Sequence, residues 1–76
     1  MVYNAVHQSS MIKASSYDTE THQLIVTFNN DTSYSDSMVT EQDYQTFVDS
    51  ESIGQGFNQN IRKYNGNKIE QNVETN

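Results

Sequence analysis

A chain of 76 residues has room for one domain and buries only about 60% of the surface its unfolded form exposes. It has no cysteine, which excludes disulfides and thiolate chemistry, and no apolar run near the roughly 18 residues that span a bilayer. Its net charge of −6 is unevenly placed: from Asp18 to Glu51 there are eight acids and no lysine or arginine, while Arg62, Lys63 and Lys68 cluster near the C-terminal end.

An acidic surface repels phosphate backbones, so any nucleic-acid contact has to use that basic segment. The opening residues lack the charged region and apolar core of a signal peptide, and the chain is expected to be cytoplasmic, without membrane contact. Apolar content is low at 33%, with Asn, Gln, Ser and Thr making up the difference. That composition suits a small core with loose ends.

Residues 1–8 show no clear period and are expected to form a flexible arm. Met11 to Tyr17 alternates as a strand, with Ile12 and Ala14 expected to face inward. Asp18 to His22 is a polar turn. Gln23 to Phe28 is the clearest strand, placing Leu24, Val26 and Phe28 on one face. Asn29 to Thr32 suits a hairpin tip, because Asn and Asp tolerate positive φ and hydrogen-bond their own backbone. Ser33 to Ser37 is a third, more polar strand. Short connections between these segments predict a three-stranded antiparallel meander.

Thr40 can cap a helix, with Asp43 three residues on as a capping-box partner. Tyr44, Phe47 and Val48 then fall at helical spacing and face the sheet. Ser52 to Gly56 reads as a joint whose glycines permit sharp backbone angles or close approach. A final helix carries Phe57, Ile61 and Tyr64 inward, and Asn65-Gly66 ends it. Residues 65–76 are expected to be a disordered tail. The predicted architecture is α+β, the meander covered by one or two C-terminal helices. Its core is Ile12, Leu24, Val26, Phe28, Tyr44, Phe47, Val48, Phe57 and Ile61.

Together these residues resemble the KTSC domain, a small module found at the C-terminus of some lysyl-tRNA synthetases and as stand-alone bacterial and phage proteins. The resemblance starts at Ser9-Ser10-Met11-Ile12 and Tyr17-Asp18. It runs through Leu24-Ile25-Val26-Thr27-Phe28, Tyr34, Val39 and Tyr44. Its most specific part is Ser52-Ile53-Gly54-Gln55-Gly56-Phe57-Asn58-Gln59-Asn60-Ile61-Arg62. The matching span is residues 9–64. In place of the family's Tyr-x-Tyr pair this chain has Tyr34-Ser35-Asp36, in place of a proline it has Thr40, and Gly56 stands where the family has an aromatic. The resemblance implies RNA binding, which has been suggested for the family from its attachment to a synthetase. Asp36 in a stacking position weakens that implication here.

Few residues suggest other chemistry. His22 with Asp18 and Glu20 lies in a turn that fixes no common face for a metal, and His7 stands apart. No serine occupies a strand-turn-helix elbow, and Glu41 and Asp43 suit helix capping better than acid–base work. Gly54-Gln55-Gly56 lacks the Gly-Lys-Ser/Thr end of a phosphate loop. The chain is therefore read as a non-enzymatic binding module without a cofactor.

The candidate nucleic-acid contacts are Tyr34 as a stacking ring, Arg62 and Lys63 as phosphate partners, and Asn58 beside them. Each also has a structural reading: a core aromatic for Tyr34, an ion pair for Arg62, a brace for Asn58. The alternative function is an acidic protein-interaction module or phage-type inhibitor that meets a basic protein partner. An edge strand leaves both a monomer and a weak homodimer open.

Overall fold

The computed structural model describes residues 1–69. The strands are β1 (Val2–Val6), β2 (Ile12–Asp18), β3 (Gln23–Phe28), β4 (Ser33–Asp36) and β5 (Asn67–Ile69); the helices are α1 (Glu41–Val48) and α2 (Ile53–Asn60). A single 3₁₀ turn, Arg62–Tyr64, follows α2. The class is α+β, but the sheet has five antiparallel strands in the order β1-β2-β3-β4-β5 rather than three.

Both added strands lie at sheet edges, where short and mixed sequences suffice. β1 occupies the segment expected to be a flexible arm. Its register pairs Tyr3 with Tyr17 and Ala5 with Ser15. Tyr3 and Ala5 thus share the helix side with their partners, while Val2, Asn4 and Val6 turn to the open side. β5 is three residues long and pairs Tyr34 with Lys68 and Ser35 with Asn67. The tail expectation therefore fails for 67–69, and residues 70–76 lie outside the described residues.

A bulge in β2 reverses one expectation about its faces. Ile12 pairs with Phe28 and Ala14 with Thr27, so Lys13 is an extra residue on that strand. An inserted residue shifts the alternation by one. Ser15 and Tyr17, not Ala14, therefore join Ile12 on the buried side.

The hairpin between β3 and β4 closes as the Asn and Asp residues suggest. The Asp31 N–H donates to the Phe28 carbonyl at 2.9 Å, and Asp31 has φ 69°.

Thr40 caps α1, its Oγ1 accepting from the Asp43 N–H at 3.1 Å. Ser52 caps α2, accepting from the Gln55 N–H at 3.4 Å. Residues 53–56 are thus helical rather than a joint. Gly56 is there for close packing: an added Cβ would stand 2.7 Å from Ser50 Cβ and 3.0 Å from the Phe47 carbonyl oxygen.

The core is Ile12, Tyr17, Leu24, Val26, Val39, Tyr44, Phe47, Phe57 and Ile61, with Phe28 and Val48 only partly buried against it. Tyr17 anchors it, stacking on Tyr44 at 4.4 Å between centroids and donating its hydroxyl hydrogen to the Val39 carbonyl at 2.5 Å. Among the described residues, no helix is long and apolar enough to cross a membrane.

Candidate nucleic-acid interface

The helices cover the sheet unevenly. α1 sits over β1 and β2, where Tyr44 stacks between Tyr3 and Tyr17 and Phe47 meets the His7 ring edge-on. α2 meets the sheet at the end of β3, where Phe57 packs against Phe28 at 5.4 Å. A cleft of about 480 Å³ opens there, lined among others by Phe28, Tyr34, Asp36, Phe57, Arg62 and Lys68.

β4 builds one wall. Tyr34 and Asp36 are two residues apart, so they project from the same face about 7 Å from each other. Tyr34 is half-buried, its ring edge-on to Phe28 at 5.5 Å. Asp36 is buried, at 2% exposure. Among the described residues, its Oδ2 has no hydrogen-bond partner. Burial pushes its carboxyl above the usual carboxylate range. The 3₁₀ turn and Asn65, left-handed at φ 54°, bring the chain back so that Gly66 closes against Asp36 and Lys68 stands beside Tyr34 on the neighbouring strand, both lining the cleft.

The four residues predicted as contacts divide. Tyr34 and Arg62 both line the cleft. Asn58 does not line it but holds Arg62, accepting from Nη1 at 2.9 Å through Oδ1. Lys63 lies elsewhere, its Nζ 3.1 Å from Asp43 Oδ2 on α1. The Tyr64 hydroxyl donates to the same Asp43 oxygen at 2.5 Å. Asp43 is therefore not the capping-box partner the spacing suggested: the Thr40 N–H donates to the Tyr64 hydroxyl at 3.4 Å instead. With the Tyr64 hydroxyl as first cause and Lys63 behind it, Asp43 is held below the usual carboxylate range. No acid among the described residues forms an ion pair with Arg62 or Lys68.

Asp36 and Gly66 were missed as site residues. An acid in a polar strand reads as surface, although its two-residue offset from Tyr34 already placed it on the same side. In the sequence, Gly66 marks only a helix stop.

The histidines have separate structural settings. His7 Nε2 lies 2.9 Å from Ser15 Oγ, with its pKa lowered by burial. His22 Nδ1 lies 3.0 Å from the Tyr17 hydroxyl. Among the described residues, no three His, Asp or Glu side chains converge as metal ligands would.

The model of the KTSC domain family matches residues 8–64. The fold is similar to the crystal structure of a KTSC domain protein from Yersinia pestis, with a TM-score of 0.77 at 22% identity, covering 95% of this chain and 100% of that one. Among curated proteins no match is found.

Proposed function

Given that the chain belongs to the KTSC domain family, we propose that it is a non-enzymatic module that binds single-stranded RNA weakly in the cleft beside β4. One observation carries the reading. In a protein of net charge −6, an aromatic ring and two cations without an acidic partner among the described residues line the same opening. Aromatic rings stack on unpaired bases, and cations hold the phosphates between them.

Binding is weak because few phosphates are neutralised. Two cations imply a slope of about −1.4 in log affinity against log salt. Lys63, committed to Asp43, adds little to that total.

Fluorescence anisotropy with a labelled mixed-sequence octamer at rising salt tests the proposal. The Arg62→Glu, Lys68→Glu double variant is expected to lose binding while its amide spectrum stays folded. Unchanged affinity in that variant removes the cleft as the RNA site.

The acidic-module alternative has less support. Asp31 pairs with Lys13, Asp36 is buried, and Asp43 is engaged by Lys63 and Tyr64. Glu41, Asp49 and Glu51 remain exposed around α1. A chain that captures no RNA at low salt returns the question to that surface and a basic protein partner.

A further inference from the structure

Among the described residues, one buried side-chain oxygen is without a partner. Asp36 is almost fully removed from water, yet its Oδ2 accepts nothing. Buried polar atoms in folded proteins are nearly always hydrogen-bonded, and a buried carboxylate left alone is unfavourable. Gly66 covers Asp36, so a base reaches the carboxyl only as the Asn65-Gly66 turn moves aside. Gly66 stands so close that a Cβ there would lie 2.2 Å from Asp36 Oδ1, and Asp36 is part of the cleft lining. Tyr34 projects from the same face of the same strand.

We propose that Asp36 is the base-reading group of the cleft and that it selects guanine in a single-stranded RNA. This deepens the RNA reading above and rests on it. An ionised carboxylate only accepts hydrogen bonds. Guanine presents two adjacent donors on its pairing edge, N1–H and the 2-amino group. Adenine and cytosine each set an amino group beside a ring-nitrogen acceptor, and uracil sets one N–H between two carbonyls. A carboxylate facing those edges meets lone pairs where guanine offers hydrogens. Tyr34 carries the base by stacking, its edge turned along the strand toward Asp36, about 7 Å away. Arg62, just after α2, and Lys68, beside Tyr34 on β5, take the flanking phosphates.

The test uses the intact chain and four labelled octamers read by anisotropy at low salt. These are all-uridine, and uridine with one central guanosine, adenosine or inosine. Guanosine is expected to bind about tenfold tighter than adenosine or uridine, within the discrimination of a two-donor contact. Inosine keeps N1–H but lacks the 2-amino group, and is expected to fall between. Asp36→Asn, checked by its amide spectrum, is expected to bring guanosine within about twofold of uridine. If the variant does not fold, the inosine comparison on the unaltered chain decides.

Equal binding of all four octamers overturns the guanine reading and leaves RNA binding standing. A guanosine preference that survives Asp36→Asn, or inosine binding as tightly as guanosine, overturns it as well. Absence of binding to every octamer removes both readings.

Discussion

Gly66 closes against the buried carboxyl of Asp36: a Cβ at Gly66 would lie 2.2 Å from Oδ1, 2.8 Å from Cγ and 3.1 Å from Oδ2. A side chain at one residue therefore excludes the present position of the other. Gly66→Ala is expected to destabilise the fold by about 1–3 kcal/mol, the usual scale of overpacking. Asp36→Ala in the same chain should recover most of that loss, because it removes the group being struck. Urea unfolding of both single variants and the double variant checks this. Additive losses would mean the two residues are not in contact.

Asp36 and Asp43 should pull the pH profile in opposite directions. Burial raises the Asp36 pKa in the folded state, so the folded chain holds its proton more tightly than the unfolded chain. That favours the fold below the unfolded value near 3.8 and is lost as pH rises through the folded value. Asp36→Asn is therefore expected to be more stable than the parent at pH 7, by about 1 kcal/mol, with the advantage vanishing in acid. Asp43 is lowered, first by the Tyr64 hydroxyl and then by Lys63. Its contribution is present above about pH 3.8 and is lost as pH falls through its folded value. Asp43→Asn should therefore be less stable than the parent at pH 7 and equal to it in strong acid. Thermal melts of the three proteins from pH 2.5 to 7.5 check both signs.

The two glycines of α2 should respond oppositely to alanine. A Cβ at Gly54 would make ordinary contact with Met11, at 3.4 Å from Sδ and 3.7 Å from Cβ. Gly54→Ala should stabilise by about 0.5–1 kcal/mol through helix propensity. At Gly56 the same gain is outweighed by the approach to Ser50 and the Phe47 carbonyl, and a loss of about 1–3 kcal/mol is expected. Denaturant midpoints at constant m-value separate the two, and stabilisation at both positions would contradict the packing described.

Much of this fold was legible in the residues. The alternation of Leu24, Val26 and Phe28 and the turn-forming Asn29 to Thr32 define the central hairpin. Thr40 and Ser52 mark two helix starts, although only Thr40 was read as a cap. The edges were not legible: β1 mixes Asn4 with valines on its open side, and β5 is too short to show a period. Lys13 is a bulge that no periodic reading predicts, since it inserts a residue and reverses the faces after it. Of the predicted contacts, Tyr34 and Arg62, singled out by residue type, both line the cleft. Lys63 was grouped with Arg62 by adjacency, yet neighbours on a helical turn point apart, and it reaches Asp43. Asp36 enters the sequence reading only as the acid that replaces a family tyrosine, because an acid in a polar strand suggests solvent.

Tyr17→Phe isolates the polar contribution of the core. The hydroxyl donates to the Val39 carbonyl at 2.5 Å and lies 3.0 Å from His22 Nδ1, with both Tyr17 and Val39 at 0% exposure. Removing it leaves a buried carbonyl short of a donor, and a loss of about 1–3 kcal/mol is expected with aromatic stacking unchanged. Equilibrium unfolding measures the loss, and near-ultraviolet circular dichroism checks that the stack on Tyr44 persists. A neutral substitution would mean the hydroxyl contributes nothing to the fold.

The central claim is that the cleft beside β4 takes single-stranded RNA. A two-dimensional amide NMR titration of the labelled chain with a short guanosine-containing RNA at low salt tests it most directly. The account predicts shifts concentrated at Tyr34, Asp36, Arg62, Gly66 and Lys68, fading as salt rises and leaving Lys63 and α1 nearly unmoved. An unchanged spectrum at millimolar RNA, or shifts confined to α1, would contradict it.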